Sequence, residues 1–148
     1  MNDNVEDIRQ GFSSFASGDL DAVRERFDKD IVWHVPGRSE LAGDYRGVDA
    51  VIGYFVQLFE RSGGTFKAEL VECGEIKADL VACLVRLTWD TPAALDARSV
   101  ILFQRRDGRT TEVWNFAEDQ YAMDEASGPV SIVLPSDRAA GQDAPIKA

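Results

Sequence analysis

Two spacings of apolar residues divide the chain. Up to about residue 61 apolar side chains recur every three or four positions, and after residue 64 they gather in strand-length runs. Val5, Ile8, Phe12 and Phe15 form one stripe and predict a first helix over about Asn4–Ser17, with Asp3 and Glu6 at capping-box spacing. Gly18 stops that helix, and Asp19 caps a short second one carrying Leu20, Val23 and Phe27. Asp28-Lys29-Asp30 predicts a turn, Ile31–Val35 a strand ended by Pro36-Gly37, and Arg38–Arg46 a polar loop. Val51, Ile52, Phe55, Leu58 and Phe59 predict a third helix over roughly Val48–Arg61, closed by Ser62-Gly63-Gly64.

Beyond it, Thr65–Cys73, Leu80–Trp89, Arg98–Arg106 and Arg109–Tyr121 are rich in β-branched and aromatic residues and predict four strands. Asp107-Gly108 is a two-residue hairpin signal between the last two. The order predicts an α+β domain over residues 1–126, three N-terminal helices on a curved, mainly antiparallel sheet. Residues 127–148 are poor in large apolar side chains, apart from Val130, Ile132, Val133 and Leu134, and predict a flexible or surface-wrapping tail. Leu80–Trp89 is apolar on both faces, whereas a sheet covered on one side alternates. One face packs on the helices. The other must meet a second copy or line a cavity, and curvature favours the cavity, so the expected guest is a small, largely apolar molecule.

Composition narrows the function classes. Acidic residues outnumber basic ones 26 to 16, a formal charge of −10, which repels a phosphate backbone; Arg105-Arg106 reads as a solvated turn pair, so no nucleic-acid partner is expected. The longest apolar runs are too short for a membrane span, and the acidic, polar N-terminus does not read as a signal peptide, so a cytoplasmic location is expected. Cys73 and Cys83 flank the Gly74–Asp79 connection and are expected to be reduced, buried neighbours. With one histidine and two isolated cysteines there is no zinc-type spacing, and no metal is expected. No glycine-rich phosphate loop, dinucleotide fingerprint or paired nucleophile is present, so any chemistry is expected to need no cofactor.

The element order, with Ser17-Gly18-Asp19-Leu20-Asp21 between the first helices, resembles the NTF2-like cone. Val32-Trp33-His34-Val35-Pro36-Gly37, Leu41-Ala42-Gly43-Asp44-Tyr45-Arg46-Gly47 and Trp114-Asn115-Phe116-Ala117-Glu118-Asp119-Gln120-Tyr121 resemble SnoaL-like proteins, and the resemblance covers about residues 3–125. It implies a conical pocket, frequent homodimers, and activities from isomerase, polyketide cyclase, dehydratase and epoxide hydrolase to simple binding. Ketosteroid isomerases of the same superfamily keep a base just before the proline ending the first strand, where Val35 stands here; their oxyanion tyrosine and protonated aspartate fall near Gly11 and Val100. The catalytic positions of limonene epoxide hydrolase, another relative, fall on Val85, Leu87 and Phe116. Both comparisons therefore imply that Val85, Leu87, Val100 and Phe116 are pocket walls.

His34, the one histidine, is a candidate general acid or base, unless it turns outward between Trp33 and Val35 and merely bonds at the sheet edge. The isomerase register puts Trp33 inside and the hydrolase register puts His34 inside. SnoaL-like cyclases keep an acid four residues after the strand tryptophan, which counts to Glu118; Asp119 is the alternative, and either could instead be a solvated strand end. Arg98 could hold an anion at the pocket mouth, Tyr45 a ligand oxygen, and Trp33, Trp89 and Trp114 are pocket wall or core. The expectation is a cofactor-independent acid–base enzyme for a small hydrophobic oxygenated metabolite, acting by isomerisation, cyclisation or dehydration. The alternative is a non-catalytic binding or accessory protein.

Overall fold

The structure, a computed structural model, describes residues 3–90 and 94–127; the tail expected from Ser127 onward lies outside them after its first residue. Along the chain run α1 (Asn4–Ala16), α2 (Leu20–Glu25), β1 (Phe27–Val35), β2 (Gly43–Arg46), α3 (Val48–Arg61), β3 (Lys67–Lys77), β4 (Leu80–Trp89), β5 (Leu95–Arg106), β6 (Arg109–Ala117) and α4 (Gln120–Ala126). The fold is α+β: helices pack on one side of a curved six-stranded sheet of order β2-β1-β6-β5-β4-β3, antiparallel except where β1 runs parallel to β6. Among the described residues no helix is long and apolar enough to cross a membrane.

Local signals act much as their chemistry dictates. The Asp19 carboxylate accepts from the Ala22 N–H at 3.1 Å and caps α2, whereas Asp3 makes no side-chain cap bond to α1. Asp107 and Gly108 both take positive φ, as the tight hairpin between β5 and β6 requires. Cys73 stands opposite Cys83 in the β3–β4 ladder, both as free thiols.

Two elements depart from the sequence pattern. The loop expected at Arg38–Arg46 contains β2, an edge strand whose residues have little propensity of their own and whose order comes from pairing Tyr45 with Trp33 and Asp44 with His34. The last expected strand stops at Ala117, because the Asp119 side chain accepts from the Ala122 N–H and starts α4. Arg105, read as solvated, is 2% exposed. Its guanidinium bonds to Asn4 Oδ1 (3.3 Å), Thr110 Oγ1 (2.7 Å), the Gly108 carbonyl (2.9 Å) and the Asp7 carboxylate.

The sheet obeys a strict two-residue alternation. Val81, Cys83, Val85, Leu87 and Trp89 on β4, and Leu95, Ala97, Ser99, Ile101 and Phe103 on β5, point to the helix side and are each at most 7% exposed. The opposite side carries Leu84, Val100 and Phe116 in one cross-strand row, with Val100 39% and Phe116 54% exposed. The second apolar face of β4 is thus an outer face, and does not line the cavity described below.

His34 lies on that outer face and ties three strands together. Its Nδ1 pairs with Asp44 Oδ1 on β2 at 2.7 Å and its Nε2 with Glu112 Oε2 on β6 at 2.6 Å, while the ring stacks on Trp114 at 5.8 Å. Partial burial pulls its pKa down, but the hydrogen bonds to Glu112 and Asp44 and the charges of both outweigh it, and the net shift is upward. A folded-state pKa above the unfolded value of about 6.5 means that the clamp stabilises fully below that pH and that its contribution vanishes as pH climbs through the raised value. The partners are half exposed, so on the order of 1 kcal/mol is expected, a few degrees in melting temperature. Thermal melts of wild type and His34→Gln across pH 5.5–9 should therefore converge with rising pH; a gap that stays constant or widens would contradict the clamp.

Candidate functional site

Between α1, α3, α4 and the inner face of the sheet lies a cavity of about 120 Å³. Its wall is mainly aromatic. Trp33 contacts Phe55 (centroids 5.0 Å), Phe27 (6.0 Å) and Phe103 (6.0 Å), and Phe15 stacks edgewise on Phe55 and Phe66. Leu87, Trp89, Ile101 and Leu58 complete the apolar lining. The helical three–four spacing aims Phe12 and Phe15 of α1 and Tyr54, Phe55 and Leu58 of α3 into one space, and the strand alternation supplies the rest.

Polar groups sit in two clusters. The first is at Arg26, the residue that ends α2. Its Nη1 donates to the Asp7 carbonyl (3.1 Å) and carboxylate, and its Nη2 to Gln10 Oε1 (3.2 Å). Asp7 also takes Arg105 on its second oxygen. Burial draws the Arg105 guanidinium below its ordinary pKa, against the opposing pull of Asp7. Arg26 Nε and Trp33 Nε1 are both buried without a hydrogen-bond partner among the described residues, and both residues line the cavity.

The second cluster is at the far end of β1, where Ser39, Asn115, Gln120 and Asp124 line the cavity. Asp124 is 7% exposed, and its Oδ1 accepts from the Arg38 N–H and from Gln120 Nε2, both at 3.0 Å. Gly37, with φ of 102°, makes that approach possible, since a Cβ there would fall 2.1 Å from Asp124 Oδ1. Both hydrogen bonds use one oxygen, which leaves Oδ2 uncommitted among the described residues. Asn115 donates to the His34 carbonyl at 2.8 Å. Burial raises the Tyr54 phenol pKa beyond its already high value, so it stays protonated.

Of the residues singled out from sequence, Trp33, Leu87 and Trp89 line this cavity. The other candidate site residues lie outside its lining. His34 is held in its outer-face clamp. Glu118 forms a surface ion pair with Arg98 at 2.6 Å, which together with the Arg98 N–H lowers its pKa. Asp119 is spent as the cap of α4. Val100 and Phe116 face outward, because the inner positions of β5 and β6 are Ser99, Ile101, Asn115 and Ala117; a one-residue offset inverts every side chain. Val85 is fully buried in the core without lining the cavity, and Trp114 backs His34. Tyr45 donates its hydroxyl to the Leu41 carbonyl at 2.7 Å and packs on Tyr54. Asp124 and Gln120, missed from the sequence, are an i, i+4 pair that becomes visible once Asp119 is read as a helix cap. Among the described residues no three His, Cys, Asp or Glu side chains converge on a metal position.

The SnoaL-like domain family matches residues 8–113. The uncharacterized protein Rv0034 of Mycobacterium tuberculosis is 31% identical over 118 residues, 79% of this chain and 90% of that one. Bal32a, solved from a soil-derived mobile gene cassette, is 36% identical, with a TM-score of 0.80 covering 83% of this chain and 95% of the other. TerC, co-crystallized with polyporic acid, shares the fold at a TM-score of 0.73 and 19% identity, over 84% and 97% of the two chains. A helical layer closing one face of a bent sheet, with a family match through most of the described domain, has one consistent reading: the chain belongs to the SnoaL-like family.

Proposed function

We propose that this SnoaL-like chain holds a small, hydrophobic, oxygenated molecule in the cavity and moves a proton on it without a cofactor, in an isomerase- or cyclase-type reaction. The observation that carries the reading is Asp124, a carboxylate in the cavity wall that, among the described residues, is not tied into an ion pair and has one oxygen uncommitted. A carboxylate held by a backbone N–H and an amide has a fixed orientation, which general acid–base catalysis needs. The apolar wall excludes water and suits an aromatic or terpenoid body. TerC, of the same fold, was co-crystallized with polyporic acid.

A purely binding role is the second reading. Asp7 and Arg26, the other charged groups of the wall, are ion-paired with each other, and the histidine lies outside.

Two outcomes separate these readings. Aryl and terpenoid ketones, 2-tetralone among them, should raise the melting temperature by several degrees at concentrations well above Kd; no shift from any of them argues against a guest. In D2O, the protein should speed exchange of the α-protons of the ketones that bind, and Asp124→Asn, which keeps the acceptor for Arg38, should cut that exchange by about 10²–10⁴-fold with thermal shifts preserved. Binding without exchange supports the binder, and undiminished exchange in Asp124→Asn removes Asp124 from the catalytic role.

A further inference from the structure

Two buried donors in the cavity wall have no acceptor among the described residues. Trp33, 7% exposed, leaves Nε1–H without a partner, and Arg26 leaves Nε–H without one although its two terminal nitrogens are engaged. A buried N–H left unsatisfied costs about 1–3 kcal/mol, so a chain that keeps two beside one cavity gains from an acceptor arriving there. Both residues line the one cavity. Phe27, next to Arg26, pairs with Thr110, and Trp33 with Val113, so bulged β1 brings their backbones within three rungs of β6, roughly 10 Å. The Phe27 and Trp33 rings touch at 6.0 Å.

The charge balance specifies the acceptor further. Asp7 gives one oxygen to Arg26 and the other to Arg105, so one carboxylate answers two guanidiniums. Arg105 also meets Asn4, Thr110 and the Gly108 carbonyl, all neutral, and Gln10 adds no charge at Arg26. Direct contacts thus give the two guanidiniums a single carboxylate, while Glu75 and Asp79 stand one hydrogen bond further out through Asn4 Nδ2. Access is also built in: Gly11 of α1 lines the cavity beside Arg26, and a Cβ there would lie 3.3 Å from Arg26 Cδ and 3.9 Å from Nε. A glycine inside a helix costs about 1 kcal/mol relative to alanine, and here it clears the path to Nε.

We infer that the cavity selects hydrophobic molecules carrying an anionic oxygen, such as an aryl or terpenoid carboxylate or enolate, with that oxygen received by Arg26 Nε–H and Trp33 Nε1–H and the apolar body lying along the aromatic wall. The inference rests on the guest-binding reading above and adds the polarity of the guest. For the proton-transfer reading it supplies an oxyanion position in the same cavity as Asp124.

The test uses a matched pair of probes, 4-isopropylbenzoate and 1,4-diisopropylbenzene, which differ in a carboxylate replacing an isopropyl group. Dissociation constants come from titrations followed in the amide NMR spectrum of the full chain. The benzoate should bind at least about tenfold tighter, as expected for hydrogen bonds to a charged acceptor. Trp33→Phe, which keeps an aromatic wall, and Arg26→Lys, which keeps the charge, should each weaken the benzoate about 5–20-fold and leave the hydrocarbon within about twofold. Equal affinity for the two probes, or equal losses for both in Trp33→Phe, overturns the inference and leaves guest binding standing. Failure of both probes to bind saturably overturns the two together.

Discussion

The two-residue period of the β-strand governs where everything else in this molecule can go. Once β4 and β5 commit Val85, Leu87, Ser99 and Ile101 to the helix side, register carries the choice across β6 and β1, and Trp33 faces inward while His34 faces out. The cavity exists because the inward set is bulky at its aromatic rim and small at its floor, where Ser99 pairs with Ala117. The register of β1 against β6 shifts between Phe27 and Val32, the kind of irregularity that bends a strand. A slip of one residue would put the histidine inside, the tryptophan outside, and leave the inner face charged.

That constraint also explains which parts could be read from the sequence. Helices α1 and α3 were plain because their stripes are long, and β4 was plain to the residue because Leu80–Val85 is continuously apolar. The same continuity hid its orientation: with no polar residue before Arg86 to mark the outer face, β4 did not say which side held the cavity. Val100 and Phe116 were placed inside by counting from relatives, a method whose error of one residue is harmless in a helix and reverses a strand. Asp124 stayed hidden for a different reason. It acts through a backbone N–H 86 residues away, across a close approach that Gly37 permits, and neither partner marks the other in the sequence.

The titratable groups of the molecule divide by face. On the outer side charges are paired in the open, Arg98 with Glu118, Arg86 with Asp96, His34 with two acids, where each pair contributes little and serves the sheet edges. Inside, a buried guanidinium, two orphaned donors and a mid-helix glycine are local costs that packing alone does not require. Their concentration around one cavity, against an otherwise consistent core, is the pattern expected where stability has been given up for a guest.

The most direct check of that view is to fill the space. Ser99→Leu adds volume to the cavity floor at a residue that is 3% exposed. If the void is real, the variant should be as stable as wild type or more so, and should lose saturable binding of small aromatic molecules. An interior that is already full would instead resist the larger side chain, with a loss of about 1–3 kcal/mol in stability, and any binding to the protein would persist unchanged.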